Sequence, residues 1–124
     1  MPHLTNVIKQ AQDNPYFRQV LATGRHTQVV VMSIPAGGEI GEEVHEENDQ
    51  LLLLVQGRGN VVLDGETAEF TTGDLVLVPA GARHNFITAG DEPMKIVTTY
   101  SPPHHPDGTV HRTKAEADAA ETSE

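Results

Sequence analysis

Residues 51–81 read LLLLVQGRGNVVLDGETAEFTTGDLVLVPAG, and this stretch decides the fold. Leu51 to Val55 is a continuous apolar run of strand length, Gly57-Arg58-Gly59 turns the chain, and Asn60 to Leu63 runs out again. Asp64-Gly65 is a strong hairpin dipeptide, since a two-residue turn favours residues that tolerate left-handed backbone. Glu66 to Phe70 returns, Thr72-Gly73-Asp74 turns, and Leu75 to Val78 is a further apolar strand stopped by Pro79-Ala80-Gly81. The same rhythm extends outward in both directions. Upstream, Gln28 to Ile34 is rich in β-branched residues and ends at Pro35, and Tyr16 to Ala22 reads as a first strand. Downstream, Arg83 to Ile87 and Lys95 to Tyr100 are strands separated by the Gly90-Asp91-Glu92-Pro93 loop. Roughly eight or nine strands of ~4–8 residues, evenly spaced by Gly, Pro and Asp turns, indicate an all-β sandwich or barrel and not alternating β and α units.

The two ends differ from this core. Asn6 to Asp13 has Val7, Ile8 and Ala11 on one side and predicts a short helical turn, stopped at Asn14-Pro15. Residues 101–108 form a proline-rich loop. Thr113 then precedes Lys114 to Ala120 and is placed to cap a short exposed helix, with Glu116 three residues on as its capping-box partner. A frayed acidic tail follows. The expected organisation is one domain over residues 1–124, with the strand core at about 16–100 and the loop and helical tail at 101–124.

Composition narrows the function. The chain has 124 residues, 8 Lys and Arg against 18 Asp and Glu, a formal charge of −10, 7 His and no Cys. An acidic surface does not suit nucleic-acid phosphates, so no nucleic-acid partner is expected. Without cysteine there is no disulfide scaffold, thiolate zinc site, iron–sulfur cluster or cysteine nucleophile. No apolar run is long enough for a transmembrane helix, and no leader is visible at residues 1–6, so a cytoplasmic protein without membrane contact is expected.

Glu43-Val44-His45, Gln50 and His84 carry the chemistry. Glu43 and His45 lie two apart on a short strand, so alternation puts both on one face. A turn at residues 46–49 brings Gln50 back beside them, and a rolled antiparallel sheet lets His84 close the group from a neighbouring strand. Two imidazoles, one carboxylate and one amide oxygen form an N/O set suited to manganese, iron, cobalt, nickel or zinc. On the strand carrying Gln50, Leu52 and Leu54 share its parity. Ala82 and Phe86 share that of His84. These four predict an apolar pocket wall for a small-molecule ligand. Leu51, Leu53 and Val55 point the other way and need cover from another sheet or a partner subunit, which predicts a homodimer.

The spacing of these residues resembles a known family. Gly37, five residues, Glu43, one residue, His45, four residues, Gln50, six residues and Gly57 resemble the first motif of the cupin superfamily. Gly73, five residues, Pro79, one residue, Gly81, two residues and His84 resemble the second. The pattern departs from the usual one in three places. Histidine usually stands at the position of Glu43 and glutamate at that of Gln50, as though a carboxylate and a neutral ligand had changed places. The asparagine often found at the end of the second motif falls at Thr88. The segment from Pro102 to Ala117 is similar to the tail of small cupins described as mannose-6-phosphate isomerase-like. The resemblance implies a double-stranded β-helix, a small jelly-roll barrel with a short C-terminal helix. It also implies a divalent metal held by Glu43, His45, Gln50 and His84.

From these readings the expected function is a metal-dependent enzyme of oxygenase or isomerase/lyase type, acting on a small organic or sugar-related substrate in an apolar barrel pocket. The alternatives are a non-catalytic metal- or small-molecule-binding module, or a purely structural barrel. Covalent hydrolysis is disfavoured, because no nucleophile constellation is present. No separate catalytic base is evident. His104, His105 and His111 are read as a solvated loop in preference to a second metal or substrate group. Arg83 is expected to face outward in a surface ion pair, and Asp49 is a minor candidate for steering ligand toward the site.

Overall fold

The computed structural model describes residues 2–122. In chain order the elements are α1 (Val7–Asp13), β1 (Arg18–Thr23), β2 (Gln28–Ile34), β3 (Glu43–Val44), β4 (Asp49–Gln56), β5 (Arg58–Leu63), β6 (Glu66–Thr71), β7 (Leu75–Val78), β8 (Arg83–Ala89), β9 (Met94–Ser101), β10 (Val110–His111) and α2 (Lys114–Thr122). The turns fall where Gly, Pro and Asp punctuate the sequence. At Asp64 and Gly65 φ is +47° and +85°, the left-handed backbone that this hairpin requires.

The strands form a six-stranded sheet in the order β10-β1-β2-β9-β4-β7 and a four-stranded sheet in the order β3-β8-β5-β6. Every pairing is antiparallel. The barrel expected from the sequence is not formed. Each sheet is open, with β10 and β7 as the edges of one and β3 and β6 as the edges of the other. Apolar alternation fits a sandwich and a barrel equally well, and closure depends on ladders between edge strands. Here β3 and β10 are two residues each, too short to carry a ladder onward. Among the described residues there are two helices, the expected C-terminal one and α1, which stands where the helical turn is predicted.

Both sheets contribute to one core. Val30, Met32, Leu52, Leu54 and Ile96 from the larger sheet pack with Val61, Phe70 and Phe86 from the smaller, and Phe70 and Phe86 have ring centroids 5.2 Å apart. At ~25 cal/mol per Å2 of apolar area removed from water, this shared layer is what holds the two sheets together.

On the outer face of the larger sheet, α1 lays the fully buried Ala11 against Val31 and Val55, with Leu21, Leu53 and Val97 around them. Part of the cover expected from another sheet or subunit is therefore supplied by the chain's own first helix. Leu51, Leu75 and Leu77 remain 38%, 61% and 56% exposed. At the other end, the Glu116 amide donates to Thr113 Oγ1 at 3.1 Å, so the predicted cap of α2 is made. The last residues of the expected acidic tail, 123–124, lie outside the described residues. No helix among the described residues is long and apolar enough to cross a membrane.

Candidate metal centre

The site lies where β3, β4 and β8 meet the inside of the molecule. Glu43 of β3 stands directly opposite His84 of β8 in the antiparallel register, and His45 follows just after β3. One ligand atom each from Glu43, His45 and His84 lie within 4.8 Å of one another. His45 and His84 are 8% and 2% exposed, and their ring centroids are 5.3 Å apart. His45 Nε2 is 3.9 Å from Glu43 Oε2. This is a His/Glu cluster capable of coordinating a divalent metal.

The protonation state of each imidazole follows from its partners. His84 Nδ1 lies 3.0 Å from the Ala82 carbonyl oxygen. A carbonyl only accepts, so Nδ1 carries the hydrogen and Nε2 presents its lone pair. Burial lowers the His84 pKa and keeps the ring neutral at pH 7. Burial, with nearby His104, His84 and Arg18, lowers His45 to about 4. Neutral imidazole with one nitrogen pinned to a carbonyl is the form in which histidine ligates metals.

Gln50 is 2% exposed on β4, beside Tyr100 and Val78 in the register. Its Nε2 donates to Thr98 Oγ1 at 3.0 Å, and Thr98 Oγ1 donates to the Leu51 carbonyl at 2.7 Å. This relay fixes which end of the amide is nitrogen and turns the oxygen the other way. His45 Nε2, His84 Nε2 and Gln50 Oε1 are all buried without a hydrogen-bond partner. Each such orphan costs ~1–3 kcal/mol unless something satisfies it. A divalent cation accepts lone pairs of this kind, so the donor set fits a metal.

The neighbouring loop leaves His104 exposed and His105 and His111 half-buried, and it is tied down by specific contacts. The backbone amides of His104 and His105 both donate to Gln28 Oε1, at 3.2 and 3.0 Å, and Gln28 Nε2 donates to the His105 carbonyl at 2.7 Å. This clamp stacks the His104 ring on Tyr100 at 5.4 Å and sets it 4.5 Å from His45. His105 meets Tyr100 at 5.0 Å. The loop histidines do not join the group of ligand atoms around Glu43, His45 and His84.

Arg18 was missed by the sequence reading. It is 2% exposed, shares the inward parity of Val20 on β1, and brings Nη1 to 3.3 Å from His111 Nδ1. The available signal was an arginine at an inward position of a strand. Arg83 behaves as expected, 3.6 Å from Glu42 on the surface. A cleft of about 290 Å3 runs from this pair to His84. Asp49 Oδ1 accepts the Ala80 amide at 2.9 Å and ties β4 to the turn before β8. Leu52, Leu54, Ala82 and Phe86 are buried in the core beneath the site. Thr88 donates to the Ile34 carbonyl at 3.3 Å.

The depressed imidazoles predict an acid-labile metal-free protein. Below its ordinary pKa of about 6.5 an unfolded histidine binds a proton that the folded His45, His84 and His105 refuse. Their contribution is complete above pH ~6.5 and is lost as pH falls toward about 4 for His45 and about 2 for His105. The slope is up to ~1.4 kcal/mol per pH unit for a buried histidine and less for half-exposed His105. Urea midpoints measured between pH 7.5 and 4.5 should fall steadily, and a flat profile would contradict the assignment of neutral buried rings.

With this geometry in hand, the comparisons place the chain. The cupin domain family matches residues 30–100, and the chain belongs to that family. It is similar to the uncharacterized protein YrkC of Bacillus subtilis, 42% identical over 127 residues, covering 97% of this chain and 68% of that protein. A crystal structure from Bacillus halodurans, 40% identical, superposes with a TM-score of 0.94 and covers 96% of this chain and 95% of that one. Quercetin 2,3-dioxygenase of Bacillus subtilis is 31% identical over 71 residues, which are 54% of this chain and 21% of that enzyme.

Proposed function

We propose that this chain is a metal-dependent enzyme of oxygenase or isomerase/lyase type, acting on a small organic or sugar-related molecule, with Glu43, His45, Gln50 and His84 as the metal ligands. One observation carries the proposal: His45 Nε2, His84 Nε2 and Gln50 Oε1 are buried without hydrogen-bond partners, and the two imidazoles share one compact group of ligand atoms with the half-buried Glu43 carboxylate. The partial similarity to a dioxygenase supports the redox branch of this reading. When bound, a manganese, iron, cobalt, nickel or zinc ion would supply Lewis-acid or, for the redox-active metals, electron-transfer chemistry. The chain's own residues do the rest. Ala82 and Thr98 orient their ligands, and the core beneath Gln50 and His84 excludes water. The test is turnover by protein loaded separately with each metal, using quercetin with dioxygen uptake and a 2-oxo acid with proton exchange as probes. Turnover with one metal that chelation abolishes supports an enzyme. Stoichiometric metal with no turnover on either probe favours the binding module.

Thr98→Val tests Gln50. It keeps the shape of the side chain but removes the oxygen that holds the Gln50 amide. Metal affinity, measured by calorimetry, should drop roughly 10–100-fold while the fold persists. Unchanged affinity would take Gln50 out of the ligand set.

The homodimer is proposed on the exposed outer face of β4 and β7. Leu51 faces Leu77 and Leu53 faces Leu75 across that ladder, and β7 is an open edge. Light scattering should give a dimer at micromolar concentration and a monomer for the double variant Leu75→Glu/Leu77→Glu. A monomeric parent protein would overturn this.

A further inference from the structure

Gln28 of β2, Tyr100 of β9 and Gln50 of β4 stand in one row across three neighbouring strands, and all three are buried. At one end of the row is Gln50, proposed above as a metal ligand. At the other end, Gln28 uses its full hydrogen-bonding capacity on the segment after β9 and its surroundings. Its Oε1 accepts the His104 and His105 amides, and its Nε2 donates to the His105 carbonyl and, at 3.0 Å, to Thr23 Oγ1. Thr23 Oγ1 in turn donates to Asp107 Oδ1 at 2.9 Å. Asn48, between His45 and Gln50 in the chain, donates from Nδ2 to the Pro102 carbonyl. The segment from Pro102 to Asp107 is therefore fastened at both ends and in the middle.

This segment lies on the solvent side of the candidate site. The His104 ring belongs to an exposed residue, yet its centroid is 4.5 Å from that of the buried His45, and it stacks on Tyr100 at an interplanar angle of 27°. It stands outside the compact group of ligand atoms, so it covers His45 without joining that group. The closed arrangement is held by hydrogen bonds and ring contacts, and the core contains no apolar side chain from this segment. Segments held in this way open locally without unfolding the sheets beneath them. His105 Nε2 is also buried without a hydrogen-bond partner, a cost that water relieves when the segment lifts.

We propose that residues 102–107 form a lid over the metal site, with His104 as the side chain that closes the way to His45 and Gln28 as the latch. The inference rests on the metal reading above and adds how an ion enters and leaves. A lid that is not a ligand changes entry and exit by the same factor and leaves affinity alone, because it does not alter the contacts of the free or the bound ion. An additional imidazole ligand would change release and affinity together. The competing way in is the cleft beside Glu42 and Arg83 that reaches His84.

The test uses the full-length protein and zinc. Stopped-flow mixing with excess chromophoric chelator gives the release rate, mixing metal-free protein with zinc gives the entry rate, and calorimetry gives Kd. His104→Ala should raise both rates roughly tenfold and leave Kd within about threefold of the parent. Gln28→Met should do the same. It should also speed hydrogen exchange at the His104 and His105 amides of the metal-free protein while the β4 and β9 amides stay protected. If Gln28→Met does not fold, Thr23→Val, which removes one link of the clamp, takes its place. Unchanged rates in both variants would overturn the lid and leave the metal reading standing. So would an affinity loss of about tenfold in His104→Ala, which would make His104 a ligand. Faster exchange of zinc in Glu42→Gln/Arg83→Gln, with none in His104→Ala, would assign entry to the cleft and overturn the lid as well. No zinc uptake by the parent would remove the metal reading, and amide exchange would then decide the rest. Faster exchange confined to residues 102–107 in Gln28→Met would keep a segment that closes over His45, and exchange as in the parent would overturn it.

Discussion

His84→Ala is expected to abolish stoichiometric metal binding while the chain stays folded. The substitution removes one of the two imidazoles proposed as ligands and the Nδ1 hydrogen bond to Ala82 that aims it. Losing a supporting partner already costs roughly 10–100-fold in metal affinity, so losing the ligand itself should cost more. Calorimetric titration with manganese and zinc reads the affinity, and far-UV circular dichroism reads the fold. Retained affinity would mean that the two buried imidazoles are not ligands. An unfolded variant would assign the metal, or the ring itself, to structure, and His45→Ala would then carry the comparison.

The second large effect is on stability. Gly59 sits in β5 between Phe70 of β6 and Thr88 of β8. A Cβ built there collides with the Ile87 carbonyl and the Met94 sulfur. The sulfur can move, but the carbonyl belongs to the neighbouring strand's backbone. Gly59→Ala should cost ~3 kcal/mol or more, at the upper end of overpacking penalties, and lower Tm by roughly 10 °C. Gly24→Ala is the control: its Cβ meets only the Thr27 carbonyl, at 3.4 Å, with no positive φ to strain it. Equal melting temperatures for the two variants would contradict the packing of β5 against β8.

These contrasts show which parts of the molecule were legible in the sequence. Local signals carried well. Asp64-Gly65 marked its hairpin, Asn14-Pro15 ended α1, and Thr113 with Glu116 marked the start of α2. Glu43, His45 and His84 were legible from motif spacing, and the structure brings them together. What the sequence could not convey depended on distant pairing. Barrel closure was inferred from alternation, yet edges are decided by which strands meet, as when β2 and β4 both pair with β9. The clamp on the histidine loop had no local mark, because Gln28 lies 76 and 77 residues away from the amides it holds. Arg18 was passed over because a single arginine in a strand has no local mark of burial. The cover over Val55 is expected from another sheet or a partner subunit, because the helix that supplies it comes some forty residues earlier and its face rests on one small residue, Ala11.

The most direct test of the central claim is the metal content of the protein purified without added metal or affinity histidines, measured by elemental mass spectrometry. The arrangement of His45, His84, Gln50 and Glu43 predicts about one transition-metal ion per chain, removable by chelation and restored on reloading. A protein that carries none, and takes up none from manganese, iron, cobalt, nickel or zinc, would contradict it and leave the buried lone pairs to some other ligand.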